Sequence, residues 1–476
     1  MTPTRRISYH RSMTRLAVVA IVVGVSLQCT KPNPLNCADG TCSDPNYPFC
    51  DSTAQFQGNV FTCIAVQCTP DAFVACRADQ ALSCNTVGND YNVTQCPLGC
   101  SEAAGGCVAC AANSDCKSPT PKCTTGGSCV QCLLNVDCTS STAAVCDQAS
   151  NTCRGCQSDD ECPSRACDAT TGSCLDESQV IYVVPSAPPF LTCTSLAPCK
   201  LADAPSHVSP SRFTIKMEAR TYNDSGSAVD FSTGPATIHA EGATFSGQSL
   251  STSSGSGDMT IIGGTFTGSA GVTCNQAAVH LDSVSVSGGN ISGTVCNLTA
   301  SHSRFSSLSS IGGKGCDVHV DTSLFDASSA GVSMGGSLAV QNSVFNGGGI
   351  SFFNSGGVIS FSTFFNSVVT CTDTIQSPPN VVLSNDVHFG TGSGDVVNNC
   401  PSRYSILQPQ AVLVGTDHII KADPMFQNAA QGDFHLLLHS PAIDSADPNV
   451  SIANDYDGTT RPQGSASDMG AYEYKP

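Results

Sequence analysis

The side chains best suited to chemistry in this 476-residue chain form two series in its C-terminal half, set two positions apart. One runs Lys216, His239, Thr260, His280, Thr299, His319; the other runs Glu218, Glu241, Ile262, Asp282, Ser301, Asp321. If successive members sit on successive rungs of a stacked backbone, imidazoles and carboxylates alternate along one face. Neighbouring strands lie ~4.8 Å apart, so Asp282 and Asp321, two rungs apart, stand ~9.6 Å from each other. They can converge into the ~6.5–9.5 Å window of inverting glycosidases, with His280, His319 and Arg304 as the other candidate catalytic residues. The histidines are too far apart to share a metal. The plainer reading of the same residues is a solvated sheet face with local ion pairs. A second acidic group, Asp455, Asp457 and Asp468, is a candidate Ca²⁺ site, although "DYDGTTRP" lacks the full D-x-D-x-D-G spacing and a turn bridged by Arg461 competes with it. No other cofactor is implied.

Such a face requires a backbone of fixed period, and the sequence has one. Aligned on the aromatic of "DVHVDTSLFDAS" (317–328), the chain presents Phe245, Phe266, Val286, Phe305, Phe325, Phe345 and Phe365, at steps of 21, 20, 19, 20, 20 and 20 residues. Self-similarity at this period marks a solenoid in which each circuit buries its apolar face only against its neighbours. Seven positions before the anchors stand Ile238, Met259, Val279, Leu298, Val318, Leu338 and Val358, and inward and outward residues alternate as in a strand. Ser303, Ser323, Ser343 and Thr363 form a small inward ladder beside the aromatic one. Leucine-rich repeats share the period but need a dense Leu ladder with a recurring Asn. An all-β parallel β-helix of about 20-residue coils fits better, with weaker coils at Tyr222 (with Ile215 and Met217) and Phe389 (with Val382). Cys296 and Cys316 then fall within disulfide reach on adjacent coils, with Cys274 competing, and Cys371 and Cys400 are further disulfide candidates.

The N-terminal half has a different composition. Of 30 cysteines, 23 precede residue 178. Residues 5–15 carry four Arg, and the 12-residue apolar run Leu16–Leu27 is shorter than a membrane span, as in an export signal. "VSLQC" resembles the lipobox of bacterial lipoproteins, which implies lipidation of Cys29 and, with Thr30 following, an outer-membrane or cell-surface location anchored by lipid; plain secretion is the alternative. From Cys110 three units recur with the pattern C-x5-C-x(4–7)-C-x(5–6)-C. An acidic residue precedes each second cysteine, with Asn or Asp two positions earlier, as suits an Asx turn. Cys107, Cys110, Cys129 and Cys132 have zinc-ribbon spacing, but the interleaved cysteines and the export signal favour disulfides. Units this small need such cross-links, having little core of their own. They are similar to the cysteine-rich repeats of secreted bacterial surface proteins.

"VIYVVPSAPPFLTCTSLAPCKLADA" (180–204) resembles the opening of right-handed parallel β-helix proteins of the pectate-lyase-like superfamily, with Cys193 and Cys199 pinned together. "ADPMFQNAAQGDFHLLLHSPAIDSA" and "DYDGTTRPQGSASDMGAYEY" are similar to the closing segment of bacterial surface β-helix proteins of the choice-of-anchor Q type. The expected organisation is a signal at 1–29, an irregular cysteine-rich region at 30–109, cysteine-rich repeats at 110–177, a β-helix at 178–410 and a closing segment at 411–476. The resemblance implies polysaccharide or a cell-surface ligand as partner. The polygalacturonase signatures N-T-D, G-H-G and R-I-K are absent, and Trp for sugar stacking is missing. A net charge of -18 without a basic stripe sets nucleic acid aside. The expectation is therefore non-catalytic binding at the cell surface, with a polysaccharide hydrolase or lyase, or a pure scaffold, as alternatives.

Overall fold

The computed structural model describes residues 36–476 except 39–40, 48, 52–59, 66–67, 89, 169–170, 189–191, 224–227, 255–256, 375–379, 392–396 and 411–416. The expected signal and Cys29 lie outside the described residues. Contacts divide the chain into two compact units, one ending at Leu133 and the other running from Leu134 to Pro476.

The larger unit is dominated by a parallel β-solenoid of about 9 turns. Its 27 strands form one hydrogen-bonded system in which each strand pairs with its counterpart one coil away. The stretch 317–328 shows why. Val318 and Val320 are buried while Asp317 and His319 are exposed, the alternation of a strand with one wet face. The chain then bends at Thr322, which adopts a left-handed conformation (φ 46°), as do Ser283, His302, Asn342, Phe361 and Asn385 at the same place in other coils. At this bend one left-handed residue turns the chain out of one sheet and into the next. Asn suits that conformation best among non-glycine residues.

The aromatic ladder is present. Phe245 stacks on Phe266 with centroids 4.3 Å apart, and Phe305, Phe325 and Phe345 follow at 4.5 and 4.3 Å. Beyond Phe345 the expected register slips by one residue. Phe364, rather than Phe365, pairs with Phe345 (4.8 Å), and His388, rather than Phe389, stacks on Phe364 at 4.5 Å. Val358 and Val382 accordingly face outward, while Ile359 and Leu383 are buried. The polar ladder slips too, with Ser362 taking the place expected for Thr363. Its chemistry is a relay in which each side-chain oxygen accepts the backbone N–H of the preceding coil: Ser303 N–H to Ser323, Ser323 to Ser343, Ser343 to Ser362, Ser362 to Asp386 and Asp386 to Ser405, at 2.9–3.2 Å.

The closing segment packs along the outside of these coils. Phe434, Ala471 and Tyr472 cover Val344 and Phe365, while Leu436, Ala442 and Met469 cover Phe361, Val387 and Ile406. Phe365 is thus lost to the inner ladder because it seats the outer segment. Gly470 has φ 92°, and a Cβ there would meet Thr363 Oγ1 at 2.8 Å, so only glycine allows this approach.

Disulfides pair the first cysteine of a unit with the third and the second with the fourth: Cys110–Cys123 and Cys116–Cys129, then Cys156–Cys167 and Cys162–Cys174; Cys138–Cys153 is the second-to-fourth bond of the middle unit. Cys193–Cys199, Cys296–Cys316 and Cys371–Cys400 also bond, with Cα separations of 4.7, 4.5 and 5.2 Å. Cys274 is the one free, buried thiol among the described residues, and burial raises its pKa to about 12.

Candidate functional site

The outer column is real, but its membership differs at the first coils. Lys216 pairs with His239, His239 with Ile262, Ile262 with Asp282, Asp282 with Ser301 and Ser301 with Asp321. Thus Lys216 and His239 share the column of Asp282 and Asp321, not that of His280 and His319. The cause is the bend after the strand. Six positions separate His239 from Phe245, whereas four separate Ile262 from Phe266, so an alignment on the aromatics is displaced by two. Glu218 and Glu241 consequently lie in the longer bends.

The five candidate catalytic residues are not gathered into one cluster. Asp282 and Asp321 occupy one column two strands apart, with Ser301 between them. His302, in the bend, holds Asp282 Oδ1 through Nδ1 at 3.0 Å, and His280 Nδ1 is 2.8 Å from Thr299 Oγ1. His319 is exposed. Arg304 belongs to the second strand of its coil, Arg304–Ser306, and reaches Asp326 at 3.6 Å instead of the column. Asp321 does face a cleft of about 510 Å³, shared with His302, Asn342, Asp455, Tyr456 and Asp457.

The aspartates expected to bind Ca²⁺ have structural work instead. Asp455 accepts the N–H groups of Asp457, Thr459 and Glu473, and Asp468 accepts those of Asp444 and Tyr474, at 2.6–3.0 Å. Asp457 Oδ2 lies 2.6 Å from His435 Nε2, whose Nδ1 is 2.6 Å from Asp433. With the oxygens of Asp455 and Asp468 taken by backbone donors and Asp457 turned to His435, the three carboxylates do not converge on a cation. The competing expectation holds, since Arg461 donates to Glu473 Oε2 (3.0 Å) and to the carbonyls of Asp468 and Gly470 (2.8 Å each).

A different cluster forms where the third cysteine unit meets the first coils. In each unit the residue two positions before the acidic one accepts the N–H of the third cysteine: Asn113 from Cys123, Asn135 from Cys146 and Asp159 from Cys167, at 2.8–2.9 Å. The expected Asx turn is therefore a longer-range clamp. Asn suffices for it twice. In the third unit Asp159 uses Oδ1 for the clamp and turns Oδ2 toward the solenoid, where it forms an ion pair with Lys216 Nζ and lies 3.5 Å from His239 Nδ1. Glu241 closes the group, 3.5 Å from Lys216 Nζ and 3.8 Å from His239 Nδ1. The four line a cavity of about 930 Å³ with Tyr182 and Met217. Burial pushes the Asp159 carboxyl up, but the hydrogen bonds from His239, the Cys167 N–H and Lys216, with the His239 charge, outweigh it and hold the group well below the usual carboxylate range. The only sequence signal for this cluster is Asp where two sister units carry Asn.

No protein-family model matches the chain, and no curated protein does. Among solved structures, pectate lyase Pel9A is similar over 62% of this chain and 96% of its own, at 14% identity and a TM-score of 0.38. Likeness at that level carries nothing about residues or reaction.

Proposed function

We propose that this protein is exported and lipid-anchored through Cys29, and that its solenoid holds an extended polysaccharide without cutting it. The observation that carries the reading is how the outer polar groups are engaged. Asp282 with His302 and His280 with Thr299 are separate pairs along a repeating face, and Arg304 pairs with Asp326 on the second strand of the coils, so these groups are not poised together over one bond. A face on which carboxylate and imidazole coils (His280 with Asp282, His319 with Asp321) alternate with a hydroxyl coil (Thr299 with Ser301) suits a ligand with its own regular repeat. Export is supported by the disulfides, which persist in oxidising compartments. A hydrolase using Asp282 and Asp321 is the second reading, favoured by the cleft in front of Asp321.

A carbohydrate array and an assay for new reducing ends and unsaturated uronates separate the two. Wild type is expected to retain a polysaccharide and release no fragments. The double variant Asp282→Asn, Asp321→Asn is expected to bind at least ~10-fold more weakly, since even one lost charge-assisted hydrogen bond costs about that much. Fragment release that disappears in the double variant would establish the hydrolase and overturn the binding reading.

A further inference from the structure

We propose that Asp159, His239 and Glu241 form a binding site for one divalent transition-metal ion of the zinc type, in which Lys216 holds the place of the cation until a metal displaces it. The proposal rests on a geometry that is independent of any polysaccharide. One ligand atom from each residue, Asp159 and Glu241 oxygens and a His239 nitrogen, lies within 4.8 Å of the other two. Tetrahedral zinc with bonds of ~2.0–2.1 Å places its ligand atoms ~3.3 Å apart. The His239 Nδ1 contacts at 3.5 and 3.8 Å are already close to that edge.

Three features suit the group to a divalent ion. Lys216 Nζ contacts both carboxylates, so the site is built around a positive charge. His239 is buried to 6% exposure with Nδ1 directed at the same oxygens, and an imidazole nitrogen beside two carboxylates favours zinc-type ions over Ca²⁺ or Mg²⁺, which take oxygen ligands. Asp159 is the third feature. Its structural task, accepting the Cys167 N–H, is done by Asn in the other two units, so its charge serves the solenoid side alone. Three protein ligands facing a cavity of about 930 Å³ leave a fourth position for water or another oxygen ligand. Metal binding displaces the Lys216 ammonium into that cavity and requires neutral His239 with its Nδ1 lone pair free.

The test uses tag-free full-length protein with disulfides intact, titrated with Zn²⁺ by calorimetry and with Co²⁺ by visible absorption. Wild type is expected to bind one ion per chain, with the Co²⁺ absorption of a site containing nitrogen. Asp159→Asn keeps the acceptor for Cys167 and the fold, as the sister units do, yet is expected to lose binding at least tenfold. His239→Gln is expected to abolish the Co²⁺ signature. Lys216→Gln removes the competing cation and is expected to bind at least tenfold more tightly. Absence of stoichiometric binding by wild type, or binding that survives unchanged in both Asp159→Asn and His239→Gln, would overturn the proposal.

Discussion

His388 is the residue whose chemistry departs furthest from its surroundings. It continues the aromatic ladder on Phe364, is fully buried, and neither ring nitrogen has a hydrogen-bond partner. Burial pushes its pKa down to about 3. Asp386, whose Oδ2 lies 4.0 Å from His388 Nε2, is also fully buried, and the same desolvation pushes its carboxyl well above the ordinary value. Burial thus favours the neutral form of each group in the folded chain. As pH falls below ~6.5 the unfolded chain protonates its histidine while the folded one resists until about 3, so stability is lost on acidification through that window. Asp386 acts in the opposite sense, since stability falls as pH rises above ~3.9, where the unfolded carboxyl ionises and the folded one does not. His388→Phe completes the ladder and removes two unpaired nitrogens. It is expected to raise stability at pH 7 by ~1–3 kcal/mol and to flatten the loss between pH 6.5 and 3, measured by denaturant unfolding with disulfides intact. A less stable variant with an unchanged pH profile would show that the imidazole is satisfied where it stands. The ladder position was legible from the spacing, but the identity of the inward residue was not, because Phe364 and Phe365 are adjacent and alike.

Among the elements, the closing segment depends most on one interaction. Arg461 and Glu473 are both buried, and the guanidinium also lies 5.1 Å from the Phe361 ring. Removing one member of a buried ion pair leaves the other uncompensated, so Arg461→Ala is expected to cost ~3–5 kcal/mol. Hydrogen exchange should accelerate first in residues 434–474, ahead of the coils. Uniform acceleration through the solenoid would show that segment and coils unfold as one. The sequence motif marked this segment clearly, and its Arg–carboxylate bridge was anticipated. Its aspartates were open to a metal reading because the backbone N–H donors that occupy Asp455 and Asp468 leave no trace in the pattern of side chains.

For the whole molecule, the contrast lies between units held by cross-links and a solenoid held by burial. The aromatic and aliphatic columns of the coils form one continuous apolar core, from Ile181 to Leu407. The cysteine units bury little beyond their own sulfurs, so disulfides must supply what a small core cannot. Complete reduction is expected to open residues 37–174 to protease while a fragment beginning near residue 178 stays resistant and keeps its β circular-dichroism signal. Loss of that fragment at the same rate would mean that the three disulfides of the coils carry the solenoid.

The period of about 20 residues, its alternation and the cysteine spacing were sufficient to establish a stacked parallel fold with a disulfide-bonded forepart. Each of these is a local property: a strand shows its faces in its own residues, and coils that repeat must stack on their copies. Register at the ends of the stack is not local. A bend two residues longer leaves the period almost intact while moving a whole column, as at Lys216 and His239. The meeting of Asp159 with Lys216, 57 positions later, depends on where one cysteine unit docks on the coils. Docking is set by the summed packing of both surfaces, and no short-range pattern in the chain encodes it.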